Sequence, residues 1–598
     1  MEPSEILSLK VLSDPYIYED CVYFTTNWVE GDKYVSTISR FDGKDVILLN
    51  SNKHSRTPEL SDGYLFYIKK DGNIEKLIRL DQDKKETTIC ELQKIIKYKI
   101  IGSEIIIIGE DIAKFDDDIF ITEKVRYRAD GRGNLRVRRK LYSLSFDGVL
   151  ETIVEGDFDI LDFDFYKGNI AFAASIGEDD FALALQDVYI YDRSVKDFKK
   201  ITNGEGKAIL VASDTNGNIA YVGHREGKSL AVSNKLIFPL EGFSVEIGYD
   251  IDTVFSDLNP EASNHLKFDN GSIYTIAEEK GVDSLYSFKG NEVKKITNID
   301  GCVRDFDVKD GSLCYIYSNF ETPCILVFNG KTYNPNCNFI GTNAELNSRN
   351  GIDYWLMLKG KELPTILYIH GGPHNAFGNT FFAEFDFMYK NGFNIVFANP
   401  TGSKGYGDEF AKGCIGDWGG RDFRELMEIM IHLRTDLRFI GDFHVTGISY
   451  GGFMTCSIIT KTDMFKSAIT EAPVTNIVSM CGTSDIGFWF NAIEAMVKDP
   501  WSKDGFQHLL EISPIYNVKK AKTPMMFIHG ENDFRCPIEQ SEQMYTALRI
   551  MGVKSKFIRL KNESHSYMRT GNPKIKKIRL SEKLIWFREH SETLPNNL

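Results

Sequence analysis

Ser449 lies in the stretch TGISYGG, residues 446–452, where a G-x-S-x-G pattern runs into a further glycine, Gly452. A serine on such a turn is a candidate nucleophile for acyl transfer. Its hydroxyl attacks poorly unaided, so the chemistry also requires an imidazole within hydrogen-bond reach and a carboxylate to orient that imidazole. An apolar run, FHVTG, precedes the serine and a helical stretch, GGFMTCSIITKT, follows it. In this strand-turn-helix setting the chain order should be serine, acid, histidine. His565, in the loop KNESHS after an apolar run, is the better candidate base; His590 falls inside the terminal helical stretch. The acid should sit on the loop after the preceding strand, where MMFIHGENDF places Asp533, with Glu531 a distant second. Glycines 447, 451 and 452 fit a sharp turn that leaves no room for neighbouring side chains. HGGPH, residues 370–374, follows an earlier strand. The backbone amides of Gly372 and Tyr450 can therefore converge on a developing oxyanion. The Gly-Gly-Pro between His370 and His374 cannot keep those rings on one helix face, so they read as local structural groups and no metal site is expected.

Two kinds of sequence must position these groups. Up to about residue 335 the chain reads as short strands separated by tight polar turns near Gly43, Gln82, Gly148, Ser194, Asn234, Gly290 and Gly330. The spacing is that of propeller blades and predicts an N-terminal β-propeller of seven blades. From about residue 350 short apolar runs ending in loops alternate with helical stretches, which predicts a mostly parallel, doubly wound sheet whose loops at the carboxyl ends of the strands carry the site. The expected division is 1–340 for an N-terminal segment with the propeller and 341–598 for the catalytic domain. Between the second and third turns lies the most basic stretch, EKVRYRADGRGNLRVRRK. It reads as a solvated hairpin that blunts an edge strand, with a substrate, polyanion or subunit contact as the alternative.

Composition narrows the functional classes. A chain of 598 residues, 42% apolar and 26% charged, is globular material for two or more domains. Its formal net charge of −14 disfavours nucleic acid and anionic membrane surfaces as partners. Ten scattered cysteines without a C-x-x-C pair support neither a metal cluster nor a disulfide framework. The start MEPSEILSLKVLSDP has no basic n-region or apolar h-region, and no apolar run approaches about 18 residues, so the expectation is a soluble cytoplasmic protein.

LPTILYIHGGPH, GSKGYGDEFAKGCIGDWGGRDFRELM, GISYGGFMT, GTSDIGFW, SPIYNVKKAKTPMMFIHGENDFRCPIEQSEQMYTALRIMGV and ESHS together resemble the catalytic domain of the prolyl oligopeptidase family, with the nearest resemblance to acylaminoacyl peptidases. ILSLKVLSDPYI and RYRADGRGN resemble that subfamily's amino-terminal propeller. The resemblance implies a C-terminal α/β-hydrolase domain shielded by the propeller. It carries over Ser449, Asp533 and His565 as the triad and Gly372 with Tyr450 as oxyanion donors, needs no cofactor, and makes short, N-acylated peptides the expected partners. It also implies a substrate role for Arg535, for which a structural ion pair is the alternative. Phe488 and Trp489, in the segment expected over the nucleophile, offer an apolar pocket, with core packing as the alternative. Thr401, Cys536 and Ser566 depart from the usual family residues, and the last two lie beside triad members. Rival readings are an oligopeptidase, dipeptidyl peptidase or carboxypeptidase of the same family, a carboxylesterase, and a non-catalytic propeller scaffold. Assembly into a homo-oligomer is compatible with the sequence, the basic hairpin being a candidate contact.

Overall fold

The computed structural model describes residues 1–50, 53–113, 119–177, 179–214, 216–258 and 265–592. Among them, the strands from Val11–Tyr18 to Lys331–Tyr333 form seven four-stranded antiparallel sheets and one two-stranded hairpin. The expected seven-bladed propeller is thus present. Six of the seven predicted turns fall between the third strand of a blade and its outermost strand. In the fifth blade Asn234 instead precedes the third strand, Lys235–Phe238, and the corresponding turn contains Gly242. The run KLIFPL after Asn234 is the strand Lys235–Phe238 followed by a turn that opens at Pro239, which cannot donate to a ladder.

Seven apolar clusters fill the seven joints between blades. The run Ile105–Ile108 explains how. Alternate side chains leave opposite faces of a strand, so Ile105 and Ile107 pack toward the second blade and Ile106 and Ile108 toward the fourth. All four are fully buried, each contributing about 1.5–3 kcal/mol of transfer free energy. Ring closure uses side chains, because the first and last blades share no strand among the described residues. Asp305 accepts from the Asp14 amide at 2.8 Å and Asp307 from the Ile17 amide at 2.6 Å. The same device joins the fourth and fifth blades, where Asp162 and Asp164 accept from the amides of Val211 and Ser213.

The second domain is built on an eight-stranded sheet. Its order is Glu345–Arg349, Ile352–Met357, Asn394–Ala398, Thr365–Ile369, Phe443–Ile448, Ser467–Glu471, Met525–Gly530 and Ser555–Leu560. The strand Ile352–Met357 pairs antiparallel with both neighbours and the rest run parallel. Each face is covered by helices over its own core. On the strand Thr365–Ile369, Leu367 and Ile369 belong to one core and Ile366 and Tyr368 to the other. The helix Pro3–Leu7 precedes the propeller in sequence yet buries Ile6 and Leu7 in the second of these cores, with Phe385 and Trp586. Among the described residues no helix is long and apolar enough to cross a membrane.

Candidate active site

Ser449 joins the central strand Phe443–Ile448 to the helix Tyr450–Ile459, with φ 62° and ψ −119°. That conformation is sparsely populated for a residue with a side chain, and the surroundings impose it. The Ser449 amide donates to Glu471 O at 2.9 Å and its carbonyl accepts from Phe453 at 2.9 Å. Glycines are obligatory around it: a Cβ on Gly447 would stand 2.4 Å from Gly451 O, and one on Gly451 would stand 2.1 Å from Ile369 O. The turn therefore lifts the serine off the carboxyl end of the sheet.

Asp533 follows the strand Met525–Gly530 and is 2% exposed, while His565 lies in the loop after Ser555–Leu560. His565 Nδ1 and Asp533 Oδ2 are 2.7 Å apart. Asp533 Oδ1 accepts from the Cys536 amide at 2.8 Å. Burial pushes the Asp533 carboxyl up, but the charge of His565 and the hydrogen bonds from His529 and His565 outweigh it and hold the group well below the usual carboxylate range. His529 Nε2 stands 3.3 Å from Asp533 Oδ2 and 2.7 Å from Cys536 O, and its Nδ1 is 2.7 Å from Ser541 Oγ. Sequence reasoning passed over His529; its place four residues before the acid, at the end of the same strand, is the available signal. Glu531 pairs with Arg559 at 3.0 Å on an exposed surface, and His590 bonds to Trp586 O in the terminal helix.

Ser449, His565, Gly372, Tyr450 and Arg535 line one cavity of about 240 Å³, to which Leu230 and Phe255 contribute from the propeller side. Tyr450 is the first residue of its helix, where backbone N–H groups lack an intrahelical acceptor. Its hydroxyl is tied away, donating to Asp422. Ser449 Oγ is 3.8 Å from Cys536 Sγ, and burial pushes that thiol well above its ordinary value. Arg535 both lines the cavity and pairs with Asp485, through contacts of 2.8 and 3.3 Å. Phe488 and Trp489 do not form the expected pocket. Ile486, just before the helix Gly487–Glu494, and Phe490 within it are four residues apart and share the cavity face. Phe488 lies against Phe181 of the propeller at 5.7 Å, and Trp489, 5% exposed, is packed in the core. His370 is buried, which pushes it down to about 4, and its Nε2 stands 2.9 Å from Ser403 Oγ. His374 Nε2 faces Glu494 at 3.0 Å, its Nδ1 faces Gly402 O at 3.0 Å, and Cys414 joins His374 and Glu494 in a group of donor atoms within 4.8 Å.

The basic hairpin departs from its expectation as a solvated edge. Its strands, Arg128–Ala129 and Gly133–Asn134, leave the third blade, and its turn reaches the loops that bear Asp533 and His565. Asp130 Oδ1 accepts from the Phe534 amide at 3.0 Å and the His565 amide at 3.1 Å. Arg128 donates to Thr483 O and lies over the Phe534 ring, 4.8 Å from its centroid. Arg132 pairs with Asp159 at 2.7 Å and with Glu110 at 3.2 Å. The charge run thus reflects ion pairing and docking, a use that net charge alone does not distinguish from solvation.

Residues 25–323 match the family described as acylaminoacyl-peptidase, N-terminal beta-propeller domain. Residues 379–593 match the prolyl oligopeptidase family. The uncharacterized peptidase YuxL of Bacillus subtilis (strain 168) is 39% identical over 249 residues, 40% of this chain and 37% of that protein. Acylamino-acid-releasing enzyme 1 of Oryza sativa subsp. japonica is 28% identical over 236 residues, 38% of this chain and 30% of that protein. These curated relatives are thus matched over about a third of their own length. The crystal structure of Pyrococcus horikoshii acylaminoacyl peptidase superposes with a TM-score of 0.86 over 100% of this chain and 98% of its own, at 21% identity, a likeness of fold.

Proposed function

The chain belongs to the prolyl oligopeptidase family, with the acylaminoacyl-peptidase type of propeller, and from that premise we propose that it is a serine peptidase releasing N-acylated amino acids from short blocked peptides. One observation carries the reading: a serine on a strained turn shares a cavity with a histidine whose other ring nitrogen is 2.7 Å from a buried carboxylate. In the proposed reaction Ser449 Oγ leaves Cys536 Sγ for His565 Nε2, loses its proton there and attacks the substrate carbonyl carbon. Asp533 holds the imidazole and stabilises its cationic form. The amides of Gly372 and Tyr450 receive the oxyanion. His565 then protonates the leaving amine, and water releases the acyl group. The apolar lining from Met480, Ile486 and Phe490 suits an uncharged, apolar residue before the scissile bond. The propeller residues Leu230 and Phe255 over the cavity favour short peptides over folded proteins. Ten unpaired cysteines suit a reducing compartment, which favours the cytoplasm.

The test compares acetyl-Leu and acetyl-Phe p-nitroanilides with the same anilides bearing free amines and with a p-nitrophenyl ester, each beside Ser449→Ala. Preference for the acetylated anilides, lost in the variant, is the expected outcome. Preference for free amines would sink the acylated specificity, ester turnover alone would make the protein an esterase, and undiminished activity in Ser449→Ala would remove Ser449 as nucleophile.

A further inference from the structure

The loops that bear Asp533 and His565 belong to the hydrolase domain, yet two of their backbone donors find an acceptor on the propeller. Asp130 Oδ1 receives the N–H of Phe534, the residue after the acid, and the N–H of His565 itself; Oδ2 also stands 3.2 Å from the His565 amide. Hydrogen bonds to a carboxylate are shorter and stronger than those to a neutral acceptor, and partial burial strengthens them further. One side chain therefore spans two loops whose own side chains must meet at 2.7 Å. The Asp130 amide in turn donates to Asp485 Oδ2 at 3.0 Å, and Asp485 also grips Arg535. The far end of the histidine loop is held by the first blade, where Tyr34 Oη donates to Gly571 O at 2.8 Å.

We propose that Asp130 is a positioning residue for catalysis, holding the acid loop and the histidine loop in register from the propeller, so that the triad is fully assembled only while the inserted hairpin is docked. The inference rests on the reading of Ser449, His565 and Asp533 as the catalytic unit. Asp130 touches no reacting atom; it acts through the backbone of the residues that do. Loss of its carboxylate leaves two partly buried N–H groups without their acceptor and frees the imidazole to turn away from Asp533, which impairs turnover more than ground-state binding.

The experiment uses the full chain as wild type, Asp130→Ala, Asp130→Asn and Ser449→Ala, with kcat and KM on acetyl-Leu p-nitroanilide and the thermal midpoint of each. Asp130→Ala should lower kcat about tenfold to hundredfold while KM moves less than about threefold. Asp130→Asn keeps a neutral oxygen acceptor and should recover part of the loss at an unchanged thermal midpoint. If Asp130→Ala does not fold, Asp130→Asn still decides, with an expected kcat loss of about threefold to tenfold. Wild-type kcat in either variant, or a loss that only follows the folded fraction, would overturn the inference. Full activity in Ser449→Ala would instead overturn the reading on which it rests.

Discussion

The Ser449 hydroxyl is 3.8 Å from a thiol that burial keeps protonated, so Cys536 is a weak partner and no base. Cys536→Val should therefore leave kcat within about threefold of wild type, whereas Ser449→Ala or His565→Ala should lower it by up to about 10⁶-fold. Steady-state rates on one acetylated anilide check all three, and a collapse in Cys536→Val would assign the thiol a part in the reaction. Asp533→Asn should cost about 10⁴-fold in kcat, because an amide favours the wrong imidazole tautomer. The same measurement would remove Asp533 as the orienting acid if the loss were only a few-fold.

Beneath Ser449, the strand Ser467–Glu471 ends on a buried charge network. Glu471 Oε1 meets Arg579 and Lys583 at 2.6 Å each, and both cations also reach Glu384. Burial would raise the Glu471 carboxyl, but Arg579 and Lys583 bring it down from 4.5 to about 2. Its folded value lies below its unfolded one, so its contribution to stability is present above about pH 4.5 and is lost as pH falls toward 2. Arg579→Met should destabilise the protein by about 3–5 kcal/mol at neutral pH, since it strands carboxylates in the core, and should flatten the acid dependence. Thermal midpoints between pH 3 and 7 test this; an unchanged slope would exclude Glu471 as its source. Elements differed in how far their sequence announced them. The glycines around Ser449 and the loop-bearing apolar runs were legible because tight turns and parallel strands demand particular residue types. Phe490 was missed in favour of Phe488 and Trp489 because composition marks an aromatic helix, while only its rotation decides which ring meets the cavity. Asp130 was missed because its partners are amides more than 400 residues away in sequence.

The chain crosses between the two domains twice, and the two crossings lie together. Lys10 and Asn336, on the chain's outward and return paths, exchange hydrogen bonds of 2.9 and 2.7 Å beside the seam between the first and last blades. The seam relies on acceptors such as Asp307, so Asp307→Ala should cost about 1–3 kcal/mol by orphaning the buried Ile17 amide. Denaturant unfolding measures that cost, and no loss would show that the ring closes on its apolar cluster alone. Ile6→Ala, in the helix that returns to the hydrolase core, should cost about 2–5 kcal/mol. If the domains part by turning about these bound crossings, breaking contacts such as Asp250 with Lys404 at 2.7 Å, distance from the crossings becomes a lever arm. Tyr34 belongs to the first blade, which begins at the crossings, whereas Asp130 hangs from the third. A small rotation would carry Asp130 through the longer arc, freeing the histidine amide while Tyr34 still holds the end of the loop. Hydrogen exchange should then be faster at the Phe534 and His565 amides than at the Lys10 amide, and the reverse order would place the axis elsewhere. Such a molecule would idle at its chemistry before it visibly gaped, as a circuit breaks at the contact farthest from the pivot.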